Sequence, residues 1–353
     1  MVCLQIVHWQ ELPPSTNIHL SKQFQKELMS AILEKTPKPK IKNLTAPLQI
    51  SRRQVKLYKN LRSNFSVAAL MKICESYSID FGVIEKDIIA IGKKNLLLDP
   101  KLPFALNSIS AVALRSIINS EGHMPKVRGS TIRIKVAEVE LLEKAILYAK
   151  AVFGEFNAPI RKTKGKQCFE VYFPTVIGDS LEKSGIPRGS KIKQNNGLPE
   201  DVLSGEIAVK RAYLQWSFAS EMENCNGIVK LTRHIDVTDL LEEDYISKLA
   251  FGANFRSRIS KDMRALLAQR RPNLLLGELR LLNSFGINRE PRLKLLWKTK
   301  RKTVSAAWCF SITNKRELSI LKDIIGLPLK EKQDKLNTSF EEKYKIQGNS
   351  LIH

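Results

Sequence analysis

Two short apolar runs, each closed by a glutamate, place the strongest constraint on how this chain can fold. The first run covers residues 113–123 and the second covers residues 213–223. Their acids, Glu121 and Glu221, lie 100 residues apart. Runs of this length and apolar content predict two helices that pack side by side. Such packing would bring the two carboxylates together at one end of the helix pair.

The elements predicted after each run follow one order: helix, strand, strand, helix, strand, strand, helix. Periodicity predicts helices at 108–121, 138–153 and 175–184 in the first copy, and at 206–221, 274–285 and 315–325 in the second. Each copy has a Phe-Gly turn and a Gly-x-Pro stop, and an extra helical stretch at 239–270 interrupts the second. Chance similarity is the alternative to an internal repeat. The repeat predicts an α+β fold of two tandem αββαββα units related by a pseudo-twofold axis, which together form a saddle.

One strand of each unit shows how the predicted sheets would use their two faces. Ile132, Ile134 and Val136 alternate with Arg133 and Lys135, so one face can be buried while the other carries cations. Each curved antiparallel sheet is therefore expected to present basic outward positions.

Charge indicates the kind of partner. Lys and Arg number 58 against 35 Asp and Glu, which gives a net charge of +23 and an isoelectric point near 9.8. An excess of this size favours a polyanionic partner, above all nucleic acid, over a merely soluble basic protein. Between Lys35 and Lys72 the chain has no acidic residue at all.

That basic span predicts a small all-α domain of the helix-turn-helix kind. Helices are expected at 19–35, at Ser51–Arg62 and at 66–76, with Ser21 and Ser51 as N-caps. The middle helix would be the recognition helix. The alternative is a helical bundle with one basic side. The outward DNA-contacting side chains of the middle helix would be Arg52, Arg53, Gln54, Lys56 and Lys59.

These patterns divide the chain into a helical domain at 1–95, repeats at 104–205 and 206–335, and a polar, frayed tail at 336–353. Residues 86–103 have the composition of a linker. The five scattered cysteines form no Cys-x-x-Cys pair, which fits a reducing cytosol. No signal peptide or membrane-spanning run is recognisable. A cytoplasmic, nucleoid-associated protein that does not bind membranes is therefore expected.

The two runs and their surroundings resemble the LAGLIDADG homing endonucleases in their single-chain, two-motif form. Residues 114–122, Leu-Arg-Ser-Ile-Ile-Asn-Ser-Glu-Gly, match the first motif, and residues 214–222, Leu-Gln-Trp-Ser-Phe-Ala-Ser-Glu-Met, match the second. The resemblance covers roughly residues 100–335, including the Leu102-Pro103 lead-in. The N-terminal segment resembles, more loosely, the accessory DNA-binding segment of some members.

The resemblance implies a function for the two acids. In that family the motif helices form the interface between the halves, and the last acid of each motif binds the divalent metal. Glu121 and Glu221 take that role here, with Mg²⁺ or Mn²⁺, in a monomer with internal pseudo-twofold symmetry. Such carboxylates are hard oxygen ligands suited to two-metal phosphodiester hydrolysis. A basic residue near the site is also implied, for which Lys166 and Lys302 are the candidates.

Outward basic positions of the two repeats would straddle a DNA duplex. The resemblance does not say which of them read bases and which contact phosphates. The candidates are Lys126, Arg128, Arg133, Lys135, Arg161, Lys162, Lys164 and Lys166 in the first repeat, with Lys230, Arg233, Lys298, Lys300 and Lys302 in the second.

Several motif positions depart from the family pattern. The first motif has Arg115, Ser116, Asn119 and Ser120 where small or aliphatic residues and an Asp are usual. The second has Trp216 and Met222 where glycine is usual. Because glycine lets helix backbones approach closely, Trp216 is expected to separate the helices unless Ser116 or Ser217 leaves room.

Three functions remain open. The first is a site-specific, metal-dependent double-strand DNA endonuclease. The second is a non-catalytic DNA-binding transcriptional regulator on the same scaffold, which the predicted helix-turn-helix and the motif departures favour. The third is an intron-splicing maturase that binds intron RNA. Nothing in the sequence argues for RNA, since aromatic residues make up only 7% and no stacking platform is recognisable.

Overall fold

The fold is mixed α+β and contains several small antiparallel sheets. A computed structural model describes residues 5–36, 41–225 and 227–349. Contacts group the chain into two compact units. Unit 1 comprises Met1–Ala111 and His123–Ser184, and unit 2 comprises Val112–Gly122 and Gly185–His353. The predicted boundaries differ from this division, because the first apolar run groups with the second half of the chain.

The N-terminal part of unit 1 contains both helices and strands. Ser21, Ser51 and Ser66 each cap a helix by accepting a hydrogen bond from a backbone N–H three residues later. The elements are β1 Ile6–Val7, β2 Asn17–Leu20, α1 Lys22–Glu34, α2 Thr45–Leu48, α3 Arg52–Lys59, β3 Phe65–Ser66, α4 Val67–Tyr77, α5 Phe81–Lys86, β4 Ile88–Ile91, β5 Leu97–Leu98 and β6 Phe104–Ala105, with 3₁₀ turns at Trp9–Glu11 and Ile41–Leu44.

The prediction of an all-α N-terminal domain is wrong. Strands β3, β2, β4 and β5 form a four-stranded antiparallel sheet in that order. The predicted helix at 19–35 begins only at Lys22, and the predicted linker at 86–103 contains β4 and β5. Ile18 and Leu20 of β2 and Ile91 of β4 are buried, so these short segments contribute to a core. Strands this short carry too few alternations to be recognised in the sequence.

The predicted recognition helix is shorter than expected. Helix α3 has 8 residues and ends at Lys59, and its buried face is formed by Val55 and Tyr58. Arg52, Arg53, Lys56 and Lys59 are exposed, whereas Gln54 is partly buried and donates a hydrogen bond to Ser63 Oγ.

The middle of the chain follows the predicted element order. Helices α6 and α7 and strand β8 lie within a residue or two of the sequence expectations. The strand order is β7-β8-β10-β9, with Ile134 opposite Val171 and Lys135 opposite Glu170. The elements are α6 Ile109–Glu121, β7 Gly122–His123, β8 Ile132–Val136, α7 Val139–Phe153, β9 Arg161–Lys162, β10 Phe169–Phe173 and α8 Thr175–Lys183.

The last part of the chain has the corresponding sheet order, β11-β12-β14-β13. Its core lies between this sheet, α11 and α14, where the Phe218 and Phe310 rings meet edge to face at 6.3 Å. The elements are α9 Lys191–Gln194, α10 Glu200–Leu203, α11 Ile207–Glu221, β11 Glu223–Cys225, β12 Ile228–Asp236, α12 Glu243–Lys248, α13 Lys261–Gln269, α14 Asn273–Asn283, β13 Arg292–Lys298, β14 Val304–Ile312, α15 Lys315–Ser319, a π-helical continuation Ile320–Ile325 and α16 Lys330–Asn349.

The C-terminal tail is a helix rather than a frayed segment. Helix α16 begins at Lys330 and covers most of the residues expected to be disordered. Lys343 Nζ and Tyr344 OH both donate to the Thr313 carbonyl, at 3.0 and 2.9 Å, so the helix is held against the end of β14. Across the described residues, no helix is both long enough and apolar enough to span a membrane.

Candidate functional site

The two motif helices approach each other closely within unit 2. Ser116 Oγ of α6 donates to the main-chain carbonyl of Tyr213 of α11 at 2.7 Å, and Asn119 Nδ2 donates to the Tyr213 hydroxyl at 3.0 Å. Ser116 and Tyr213 are fully buried. Trp216 is only 2% exposed. Despite Trp216, the two helices therefore lie close enough at Ser116 for a direct side-chain to main-chain hydrogen bond.

The polar departures of the first motif all have partners in unit 2. Arg115 Nη1 and Nη2 form a bidentate pair with Asp201 at 2.6 and 2.8 Å. Ser120 Oγ accepts a hydrogen bond from Arg233. With Ser116 and Asn119 bonded to α11, four polar side chains hold the first motif helix in place where the family pattern uses small or aliphatic ones.

Arg233 of β12 joins the ends of both motif helices. Its Nη1 donates to Glu221 Oε1 at 2.8 Å. Its Nη2 donates to Ser217 Oγ at 2.8 Å and to Ser120 Oγ at 3.2 Å. Since Ser120 directly precedes Glu121, the ends of the two motif helices lie next to each other.

The prediction that Arg233 faces DNA is wrong. Arg233 is 5% exposed, and on β12 it shares the inward side with Val229, Leu231 and Ile235. There it meets Glu278 of α14, which is fully buried and accepts from both Nε, at 3.1 Å, and Nη2. Burial alone would lower the pKa of Arg233, but the Glu278 and Glu221 carboxylates raise it, so the guanidinium stays charged.

Two lysines that the sequence reasoning did not assign bind the carboxyl-terminal ends of the motif helices. Lys191 Nζ donates to the carbonyls of Ile118 and Asn119 in α6, and Lys332 Nζ donates to the carbonyl of Ala219 in α11. The last carbonyls of a helix lack partners within the helix and carry partial negative charge, which a lysine satisfies.

A sequence signal for these lysines is their spacing from the two Gly-x-Pro segments. Each lies six residues after the glycine of a Gly-x-Pro stop, from 185 to 191 and from 326 to 332. Gly185 and Gly326 both have positive φ, at 91° and 72°. Glycine is therefore favoured at each stop.

The surroundings of Lys191 depress its basicity. Burial is the main cause and the Arg233 charge adds to it, which together lower the pKa of Lys191 to about 7. The Glu221 and Glu121 carboxylates act in the opposite direction. The motif ends therefore combine two acids with Arg233, Lys191 and Lys332.

The arrangement does not fit a divalent metal at Glu221. A carboxylate is a suitable Mg²⁺ or Mn²⁺ ligand, but Glu221 Oε1 already accepts from a permanent cation at 2.8 Å. Glu278 holds the guanidinium in this position through Nε and Nη2. In the part of the chain that the structure describes, no three His, Cys, Asp or Glu side chains are grouped to hold a metal.

The two candidate basic residues occupy corresponding hairpin turns. Lys166 lies in the β9–β10 turn and Lys302 in the β13–β14 turn, and both are exposed. Trp308 is the residue opposite Arg233. Lys302 precedes Trp308 by six residues, and six residues of extended strand span roughly 20 Å. The structure therefore does not bring Lys302 to the motif end of unit 2.

The first sheet carries cations on its outward face. Arg133, Lys135 and Arg161 lie on the face opposite the buried Ile134 and Val171, together with Glu170, which is 3.9 Å from Arg133. The other candidates around this sheet are exposed: Lys126, Arg128, Lys162, Lys164 and Lys166. Of these, Arg128 pairs with Glu182 at 3.2 Å.

The predicted DNA-contacting lysines of the second sheet differ in how exposed their ammonium groups are. Lys300 and Lys302 are exposed and Lys230 is partly exposed. Lys298 instead donates to the carbonyls of Ser247 and Leu249, both at 3.2 Å. The expectation that Lys298 contacts DNA is therefore not met, because its ammonium group anchors the segment that follows β12.

Comparison with known proteins gives fold-level similarity of low degree. No protein-family model matches the chain, and no curated protein does. A crystal structure of I-DmoI with DNA and Ca is 13% identical with TM-score 0.36, and covers 66% of this chain and 98% of that one. A crystal structure of I-DmoI with DNA and Mn is 13% identical with TM-score 0.36, and the match covers 64% of this chain and 99% of that one. A structure of mesophilic variants of the homing endonuclease I-DmoI is 13% identical with TM-score 0.34, and the match covers 62% of this chain and 96% of that one. These values do not establish a family for the chain.

Proposed function

We propose that this protein binds double-stranded DNA without cutting it, on a LAGLIDADG-type scaffold of two tandem αββαββα repeats. The observation that carries the proposal is Arg233. Its guanidinium lies between the two motif ends, where the resemblance would put divalent metal. Glu221 is already paired with a permanent cation there, so in this proposal Glu221 serves to hold the helix ends together.

Binding to DNA is supported by where the remaining charge lies. Neutralised phosphates release counterions, and this supplies most of the affinity of basic surfaces for duplexes. Arg133, Lys135 and Arg161 project from one sheet face, and Lys300 and Lys302 are exposed in the second hairpin. We also propose α3, with its four exposed cations, as a further DNA-contacting helix in the manner of a helix-turn-helix.

A second candidate is a metal-dependent DNA endonuclease that uses Glu121 and Glu221 with Mg²⁺ or Mn²⁺. One observation favours it: Arg233 reaches both Glu221 and Ser120, so the two motif ends meet as a shared site requires. No observation favours the intron-splicing maturase. That the protein acts as a monomer in the cytoplasm stays a prediction.

The test is a gel-shift selection of duplexes from a random pool, followed by cleavage assays on the selected sequence. We expect binding in EDTA and no gain in affinity from Mg²⁺ or Mn²⁺, because the internal cations need no metal and divalent ions compete for the phosphates. We expect the selected duplex to remain intact in all three. Glu121→Gln and Glu221→Gln serve as matched variants that remove one charge each and keep the side-chain length.

Two results would decide for the second candidate. One is cleavage at a defined site in Mg²⁺ or Mn²⁺ that disappears in both glutamine variants. The other is binding that requires the metal and is lost in EDTA. Absence of duplex binding under every condition would refute both functions.

A further inference from the structure

The segment between β12 and α14 is attached to the edge of the second sheet by backbone pairing. Phe251 forms a parallel bridge with Lys298, and Asn254 forms an antiparallel bridge with Trp297. The N–H groups of Gly252 and Phe255 donate to carbonyls of β13, both at 3.0 Å. The backbone at Phe251 is therefore fixed to the sheet.

The Phe251 side chain is nevertheless 56% exposed. The segment does not need this ring for its own core, because Phe255 is 2% exposed and packs edge to face on Tyr245 at 6.2 Å. The ring lines the same surface as Leu295, another exposed apolar side chain, and contiguous exposed apolar side chains are typical of a binding surface.

Phe251 borders a cleft of about 420 Å³. Leu295 and Trp297 of β13 also line the cleft. They lie opposite Ala307 and Ser305 of β14, which are on the sheet face opposite the inward Arg233 and Ile235, so both side chains face outward. Leu295 is 37% exposed.

Positive charge adjoins this apolar surface. Lys300 also lines the cleft, and its Nζ lies 5.9 Å from the centre of the Phe251 ring. Arg301 and Lys302 follow it in the exposed hairpin turn. The Lys300 ammonium lies over the ring. This pair matches a nucleotide, because the flexible lysine side chain can move off the ring to bind the phosphate and leave an aromatic face on which the base stacks.

We propose that this cleft binds one unpaired base of the DNA, stacked on Phe251 with its phosphate at Lys300. The proposal rests on the proposed function, since it assigns a second mode of contact to the same DNA-binding protein. Duplex DNA has its bases stacked internally, so the site is specific for a base that is extruded or next to a strand end.

The test compares two DNAs that differ at a single position. One is a duplex with an extrahelical 2-aminopurine, and the other is the same duplex without that nucleotide. We expect the full-length protein to bind the first more tightly and to quench its fluorescence. Removing a stacking ring should weaken binding by about 5- to 150-fold, so Phe251→Ala should lose that factor for the bulged DNA and keep its duplex affinity.

Two variants control for the loss of an apolar side chain. Leu147→Ala removes a side chain that is 57% exposed on α7, and it should change neither affinity. Phe251→Trp preserves a stacking face and should retain the preference. Equal affinity of the wild type for the two DNAs, or an unchanged preference in Phe251→Ala, would overturn the stacking site alone. Failure to bind either DNA would overturn the proposed function with it.

Discussion

A single inward arginine changes what the paired acids can do. Arg233 forms hydrogen bonds with Glu221, Glu278, Ser217 and Ser120, so it pairs with two carboxylates and links both helix ends. A buried ion pair of this kind is often no more stabilising than a well-packed apolar pair, whereas removal of one partner is costly. The stabilising effect of Arg233 therefore depends on Glu278 being present.

This dependence predicts a non-additive pair of substitutions. Arg233→Met should lower the free energy of unfolding by about 3–5 kcal/mol, because Glu278 is left buried and unpaired. The double variant Arg233→Met/Glu278→Met should recover much of that loss. Urea unfolding measures both. Lys248→Met is the control, since Lys248 is 72% exposed in its pair with Asp244 and should change stability by about 1 kcal/mol or less. Equal effects of the control and Arg233→Met would contradict the interpretation.

Lys191 predicts a pH dependence of stability. The pKa of Lys191 is lowered from 10.5 to about 7, so between these values the unfolded chain binds a proton that the folded chain does not. The free energy of unfolding should therefore rise with pH through 7, and the rise should be smaller in Lys191→Met. Below pH 7 both states are protonated, and the contribution is constant.

Urea unfolding from pH 6 to 8.5 tests the Lys191 prediction. The upper limit matters because burial raises the pKa of Cys74 from 9.0 to about 11, which makes stability fall with pH in that higher range. Identical pH profiles for the wild type and Lys191→Met would show that the amine does not titrate in this window.

At the scale of elements, long periodic segments were predictable and short or exceptional ones were not. The helix predicted at 138–153 is α7, Val139–Phe153, and the alternation from Ile132 to Val136 is β8. Two residues of the four-residue strand β2, His19 and Leu20, fall in the segment predicted as a helix. Arg233 was assigned to the surface because charge normally points outward, and its partner Glu278 is 45 residues away. Only the tertiary structure brings such a pair together.

The helix contact at Ser116 predicts different costs for two substitutions. Ser116→Ala loses one hydrogen bond to the Tyr213 carbonyl and should cost about 1 kcal/mol. Ser116→Leu adds volume where the helices touch, and overpacking should cost a further 1–3 kcal/mol or so. Thermal and urea unfolding give the two values. Ser247→Leu, at an exposed position of α12, is the matched control and should be nearly neutral. If leucine were tolerated at 116 as well as at 247, the close approach would be refuted.

At the scale of the whole molecule, the net charge of +23 makes DNA binding dependent on salt concentration. This dependence distinguishes lysines that contact phosphates from lysines whose ammonium groups are bonded within the protein. The logarithm of the DNA association constant should fall with the logarithm of salt concentration by about 0.9 per neutralised phosphate. Substitution of Lys162, Lys164 and Lys166 by Gln should therefore reduce the slope by up to about 2.7, since all three are exposed.

Lys298 provides the internal control for that measurement. It belongs to the same basic hairpin as Lys300, but its ammonium group is bonded to the carbonyls of Ser247 and Leu249. Lys300→Gln should lower the salt slope by up to about 0.9, whereas Lys298→Gln should leave the slope unchanged. Lys298→Gln should instead loosen the attachment of the Phe251 segment, which hydrogen exchange at Gly252 and Phe255 would detect. If the two variants shifted the slope equally, charge count alone would govern binding, and the side-chain contacts of Lys298 would have no bearing on it.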